Sequence, residues 1–203
     1  MNLLSRTAAL FAAAALAAGP LAAQDAKKPA APPMDEKAAM EMMQKLASPG
    51  AGHKKLDSWV GTWTSKMTMW MDPTKDPVKS EGTSELKWVL GGRYVQQTYE
   101  GQFMGGPFSG VGYTGYDNYK KKYVATWMDT ASTSVLSMSG SFDKAGKALT
   151  MTGKMDDFTT GKVTTMRTVT TMPSNDEMRW EMYAPGPDGK EVKMMEIVYS
   201  RKK

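Results

Sequence analysis

Nineteen methionines, a single histidine and no cysteine bound the chemistry open to this chain. Thioethers are soft ligands for Cu(I), and Met67-x-Met69-x-Met71 is a dense run of them. On a strand, which rises about 3.3 Å per residue, these three share one face at roughly 7 Å spacing. One strand face aims its side chains in parallel, so a copper site would need convergent ligands from neighbouring strands. The other use of methionine is to fill irregular apolar space and adapt to varied ligands. That lining role is the expectation here, and no metal ligand is assigned. His53 cannot form a two-histidine metal site, and its place ahead of the strands points to packing or capping. The missing cysteines exclude thiol catalysis and cysteine-based zinc or iron–sulfur sites. Gly-x-Ser-x-Gly is absent, and Asp156-Asp157 falls where a turn is expected and serves the backbone there. The glycines from Gly105 to Gly115 precede no helix, so they form no phosphate loop. They read as strand bends or close packing. No catalytic residue and no cofactor are assigned.

Arginine is scarce beyond Arg6: only Arg93, Arg167, Arg179 and Arg201. A scarce arginine within a strand suggests a fixed job. With Arg201, Tyr199 and Gln97, Arg93 and Arg167 make up the polar set of interest, and one reading is that Arg93 or Arg167 works with Tyr199 as a clamp on the polar head of a ligand. The other is two satisfied wall residues. Both stay open at this stage.

From Gly61 onward the hydrophobic period is two. Strands are expected near 61–71, 79–90, 93–103, 107–116, 121–129, 133–142, 147–156, 162–172, 176–184 and 190–201. Turn residues separate them, including Asp72-Pro73, Gly91-Gly92, Asp117-Asn118 and Pro185-Gly186-Pro187-Asp188-Gly189. Every link is short, so neighbouring strands pair antiparallel. The expected fold is all-β: a single antiparallel up-and-down barrel of about ten strands, with a two-sheet sandwich as the alternative. Trp63, Met67, Met69 and Met71 share one face of the first strand. Leu86, Trp88 and Leu90 share one face of the second. Met151, Trp127 and Trp180 likewise fall on the apolar faces of their strands. The expected lumen lining is therefore Met67, Met69, Leu86, Trp88, Trp127, Met151 and Trp180, with Arg93, Arg167 and Tyr199 for a head group.

The residues ahead of the strands divide in three. Residues 1–23 carry one positive charge, an Ala-rich apolar stretch and small residues at Leu21-Ala22-Ala23, as a secretory signal peptide does. The mature chain then begins near Gln24 and is periplasmic or secreted, with no stable membrane anchor. Residues 24–34 are a Pro/Ala/Lys linker. The barrel domain spans 35–203 and opens with a helix over 35–47, capped by Asp35 and striped with Ala38, Ala39, Met42, Met43 and Leu46. This helix is expected to pack across one end of the barrel. The net charge of +5 comes from scattered lysines. Lys120-Lys121-Lys122 reads as a solvated hairpin tip, and nucleic acid is not an expected partner. Oligomeric state is not legible.

Two resemblances extend this reading. Gly61-Thr62-Trp63 at the start of the strand run and Arg201 at its end resemble the closing contact of a lipocalin-like barrel. A second set of motifs runs in order along residues 35–203: His53-Lys54-Lys55-Leu56, Val60-Gly61-Thr62-Trp63, Met69-Trp70-Met71-Asp72-Pro73, Ser80 to Glu85, Leu90-Gly91-Gly92-Arg93, Gly112 to Asn118 and Gly186 to Lys190. These resemble a bacterial family numbered fifteen-seventy-nine among the domains of unknown function, whose members look calycin-like. That resemblance implies a barrel and supplies no activity. Nitrobindin-like barrels of the same superfamily use a late histidine, and this chain has none after His53. The functional expectation is a protein that binds a small apolar or amphipathic ligand in its lumen. The alternatives are a calycin-type enzyme on a hydrophobic substrate, Met-based Cu(I) binding, and a purely structural barrel.

Overall fold

The computed structural model describes residues 35–72, 74–157, 161–186 and 188–203. The expected signal peptide and linker, and parts of three expected turns, lie outside the described residues. Two helices come first, α1 (Glu36–Ala47) and α2 (Ala51–Lys54), then a 3-10 turn over Asp57–Trp59. Ten strands follow: β1 (Gly61–Met69), β2 (Val78–Val89), β3 (Tyr94–Phe103), β4 (Gly106–Asp117), β5 (Lys122–Asp129), β6 (Leu136–Phe142), β7 (Ala148–Asp157), β8 (Lys162–Ser174), β9 (Glu177–Pro185) and β10 (Glu191–Arg201). Each strand pairs antiparallel with its neighbours in sequence, and β1 pairs with β10, so the sheet closes into a barrel. Short alternating strands with tight links favour this closure because it leaves no unpaired edge.

All ten expected strands form. Two faces end sooner than the alternation suggested. Met71 lies past the end of β1 and is exposed, and Leu90 leaves β2 with φ 50° to start the β2–β3 turn. Leu90 therefore points to solvent rather than continuing the face of Leu86 and Trp88.

Helix α1 also departs from expectation. Asp35 caps it, its side chain accepting from the Lys37 and Ala38 amides at 2.8 and 3.1 Å. Yet Met40, Met42 and Met43 are exposed and no residue of α1 is buried. Its C-terminal end is held by Asn118, whose amide donates to the Leu46 and Ser48 carbonyls. The barrel end is instead covered by the next segment, where His53, Leu56 and Trp59 are buried. Four residues of α2 and a 3-10 turn are too short to show a helical stripe, which is why the longer helix drew the expectation.

Candidate functional site

One end of the barrel is plugged, and towards the other end several inward side chains, Met69 and Trp127 among them, keep part of their surface exposed. At the plugged end Trp63 is fully buried, and its indole N–H donates to the Trp59 carbonyl at 2.9 Å. The Arg201 guanidinium lies 4.1 Å from the centre of the Trp63 ring. It also donates to the carbonyls of Val60 and Ser58, each at 2.7 Å. Trp63 and Arg201 thus meet where the first and last strands close, and they tie the plug to both. Gly61 has φ 143°, and a Cβ there would strike the Arg201 guanidinium. The glycine of Gly-x-Trp is where the arginine passes.

His53 sits beside this plug. Its Nδ1 accepts from the Gly50 amide at 3.1 Å and its ring meets Tyr116 edge-on. Burial, and then the nearby Arg93 charge, hold its pKa below the usual histidine value. Tyr123 donates its hydroxyl to the Gly52 carbonyl at 2.8 Å, and its pKa is pushed up to about 12, chiefly by burial. Capping and packing account for both residues.

Along β1, β5 and β7 the inward face is buried towards the plug and more exposed towards the other end. Along β1, Trp63, Ser65 and Met67 are buried and Met69 is partly exposed. Along β7, Leu149 and Met151 are buried, Gly153 is partly exposed and Met155 is exposed. Trp180 and Ile197 are opposite each other in the middle of β9 and β10, and both keep part of their surface open. An inward side chain halfway down a barrel reaches water only through the lumen. Around the open mouth stand Met71, Met104, Val135 and Val163, all exposed. Trp127 lies flat on β4, whose Gly112 leaves room for it: a Cβ there would sit 2.8 Å from the indole. Its N–H donates to Asp129 at 2.8 Å.

The strand registers place Met67, Met69, Leu86, Trp88, Trp127, Met151, Trp180 and Tyr199 on the inward face. Leu86 and Met151 are buried among the core residues, and Trp88 is at the plug, donating to Asp57 at 3.1 Å. Met69, Trp127 and Trp180 belong to the open half. The two arginines are not in the lumen. Arg167 stands between Met166 and Thr168, which are buried on the inner face, so it points out. It binds Glu191 through two hydrogen bonds at 2.9 and 2.6 Å and covers the Tyr183 ring at 4.1 Å. Arg93 is exposed in the β2–β3 turn and donates to the Leu90 carbonyl at 3.0 Å. It lines a hollow of about 350 Å³ beside His53, Tyr116 and Asn118, outside the barrel. Neither can meet Tyr199 in a clamp.

The polar groups on the inward face between the plug and the mouth are neutral. Gln97 Nε2 donates to Ser84 Oγ at 2.8 Å and to the Tyr199 hydroxyl at 3.3 Å. Ser84 donates to the Thr98 carbonyl at 2.9 Å, and Ser65 to the Tyr99 hydroxyl at 3.3 Å. Burial drives the Tyr199 pKa well above the usual phenol range, so it stays protonated. All five residues belong to the adjacent strands β10, β1, β2 and β3. Gln97 and Tyr199 were visible in the sequence as polar residues of interest. Ser65, Ser84 and Tyr99 were missed, although Ser65 shares the face of Trp63 and Met67, and Ser84 that of Leu86. A polar residue on the apolar parity of a strand was the signal.

The comparisons agree with this architecture. Rv2717c from M. tuberculosis has a similar solved structure, with TM-score 0.57 and 13% identity, covering 77% of this chain and 100% of its own. Two further solved barrels superpose less well: the redesigned beta barrel b11L5F_LGL at TM-score 0.39 and 16% identity, covering 77% of this chain and 99% of its own, and EF1p2_mFAP2b bound to DFHBI at 0.41 and 13%, covering 75% and 100%. The likeness to Rv2717c concerns the fold alone. No curated protein matches the chain. The family model described as protein of unknown function (DUF1579) matches residues 48–201, which takes in the plug and every strand, and the chain belongs to that family.

Proposed function

We propose that this is an exported binding protein that holds a small apolar or amphipathic ligand in the open half of its lumen. The observation that carries the reading is the gradient of exposure along the inward faces, from Trp63 and Leu149 at the plug to Met69, Trp180 and Ile197 above. Methionine and tryptophan give the open half a wall of large contact area that adapts to shape. Export is supported by the order of charge, apolar stretch and small residues over 1–23. Burying an alkyl chain stabilises a complex by about 0.8 kcal/mol per CH₂. Straight-chain lipids of increasing length should therefore bind progressively tighter, read by tryptophan fluorescence. Native mass spectrometry of protein purified from its own host would show what it already carries.

A barrel filled by its own side chains is the competing reading. It is favoured by Leu56, Trp63 and Leu149 at the plug and by Met166 and Thr168, which lie mouthward of the Thr170–Trp180 pair, all with essentially no exposed surface. A flat fluorescence response at every chain length selects it.

A further inference from the structure

The lumen is chemically lopsided. The wall of β10, β1, β2 and β3 carries the Tyr199, Ser65, Ser84 and Gln97 group. The wall of β5 to β9 presents mainly Trp127, Met138, Met151, Met166 and Trp180, with the buried hydroxyls of Thr168 and Thr170 on β8 between them. The charged residues with inward register are Asp129, Asp157 and Lys162, at strand ends in the open mouth, and Arg201, which covers Trp63 at the plugged end. Among the described residues no cation or anion faces the lumen at the depth of Gln97.

The polar wall has hydrogen-bonding capacity left over. Gln97 spends one end of its amide on Ser84 and Tyr199, and the other end is free to meet a ligand. Gln97 also keeps part of its surface open, unlike Ser84 and Tyr199. The Tyr199 and Tyr99 hydroxyls act as acceptors in these bonds, which leaves their protons to give. Ser80 Oγ is buried without any partner. It lies on the inward face of β2, opposite Met67 and one step mouthward of Gly82. The Tyr99 phenol lies against Gly82 and Gly101, and a Cβ on Gly101 would come within 3.0 Å of its oxygen. Donors and an amide thus converge with no charge to balance an ion. An ionised ligand group would lose its water and gain no opposite charge, while a neutral oxygen would be satisfied.

Resting on the reading of the lumen as a binding site, we infer that the ligand is an uncharged, hydroxyl-bearing lipid. Its oxygen meets Gln97 on the β10–β3 wall and its chain lies against Trp180 and Trp127. A hydroxyl both gives and accepts a proton, which matches an amide end beside spare phenol and serine protons. Ionised fatty acids are disfavoured.

The test uses the full chain and four probes of equal carbon number, titrated by tryptophan fluorescence at mildly alkaline pH: an alkane, a primary alcohol, a methyl ketone and a carboxylate. The expected order is alcohol tightest, then ketone, then alkane, with the carboxylate weaker than the alcohol by about a hundredfold. Gln97→Leu and Tyr199→Phe should each weaken the alcohol by about tenfold and leave the alkane unchanged. That contrast separates recognition of oxygen from a loss of folding. A carboxylate that binds as tightly as the alcohol overturns the inference while leaving the lumen reading intact. So does an equal loss of alcohol and alkane in both variants. Failure of all four probes overturns the lumen reading and this inference together.

Discussion

The two ends of this barrel are built from the same alternating strands and differ in how their inward side chains are satisfied. At the plugged end every inward group has a partner: the Trp63 N–H a carbonyl, Arg201 two carbonyls and an indole face, His53 a backbone amide. Towards the open end several large apolar inward groups are incompletely covered: Met69, Trp180 and Ile197. The difference teaches that closure and capacity are separate tasks in one sheet. The plug fixes the register, since β1 and β10 cannot slip without moving Arg201 off Trp63 and the Val60 carbonyl. The open half is then free to carry residues chosen for contact with something else.

The comparison is tested most severely by truncating a tryptophan at each end. Trp63→Ala removes a fully buried ring and the surface that Arg201 covers, and should cost about 3–5 kcal/mol. Trp180→Ala removes a ring already in part exposed and should cost less, about 1–3 kcal/mol. Urea unfolding midpoints with unchanged slope measure both. Equal costs would mean that the lumen is as tightly filled at Trp180 as at Trp63.

Next in size is Gly61→Ala. The left-handed backbone and the passing guanidinium both oppose a side chain, so a loss of about 1–3 kcal/mol is expected. Gly105→Ala, at φ 83° on the mouth with open space around it, carries only the backbone part of that cost. A Gly61→Ala penalty no larger than that of Gly105→Ala would remove Arg201 from the account of closure.

The plug should also be the acid-sensitive end. The folded chain keeps His53 neutral, so the unfolded chain takes up its proton first as pH falls. The stability from His53 is complete above its ordinary value of 6.5 and declines as pH drops from there towards the depressed folded value. Protonation of Nδ1 would also release the Gly50 amide. Unfolding midpoints across this window should fall less steeply in His53→Gln than in the parent. Parallel profiles would show that His53 does not report on the plug.

The smallest effect is expected on the outside of the barrel. Arg167→Ala breaks a half-exposed pair with Glu191, and surface pairs contribute about 0–1 kcal/mol. Lipid titrations of this variant should match the parent. A changed affinity would return Arg167 to the lumen account.

Most of the fold was legible from the residues. Period-two alternation and turn chemistry are local, so all ten strands and the antiparallel order could be read, and Gly61, Trp63 and Arg201 marked the closure. The plug was not legible, because Ala51 to Trp59 buries His53, Leu56 and Trp59 through tertiary contact rather than a repeating pattern. The direction of Arg167 was hidden by β8 itself, where threonines occur on both faces from Thr164 to Thr171 and blur the alternation. Apolar inward positions such as Met69 and Trp180 were readable from parity. The polar wall was readable only in part, since Ser65 and Ser84 look like ordinary strand residues until the registers bring them beside Tyr99 and Gln97.

The central claim is that the open half of the lumen takes a ligand. The most direct measurement is a crystal structure with a long-chain primary alcohol carrying bromine at its far end, so that anomalous scattering locates the chain. The account predicts bromine density inside the barrel among the apolar side chains of β5 to β9, with the hydroxyl in hydrogen-bond reach of Gln97. An empty lumen whose own side chains close over Trp180 and Ile197, with bromine found only on the outer surface, would contradict it.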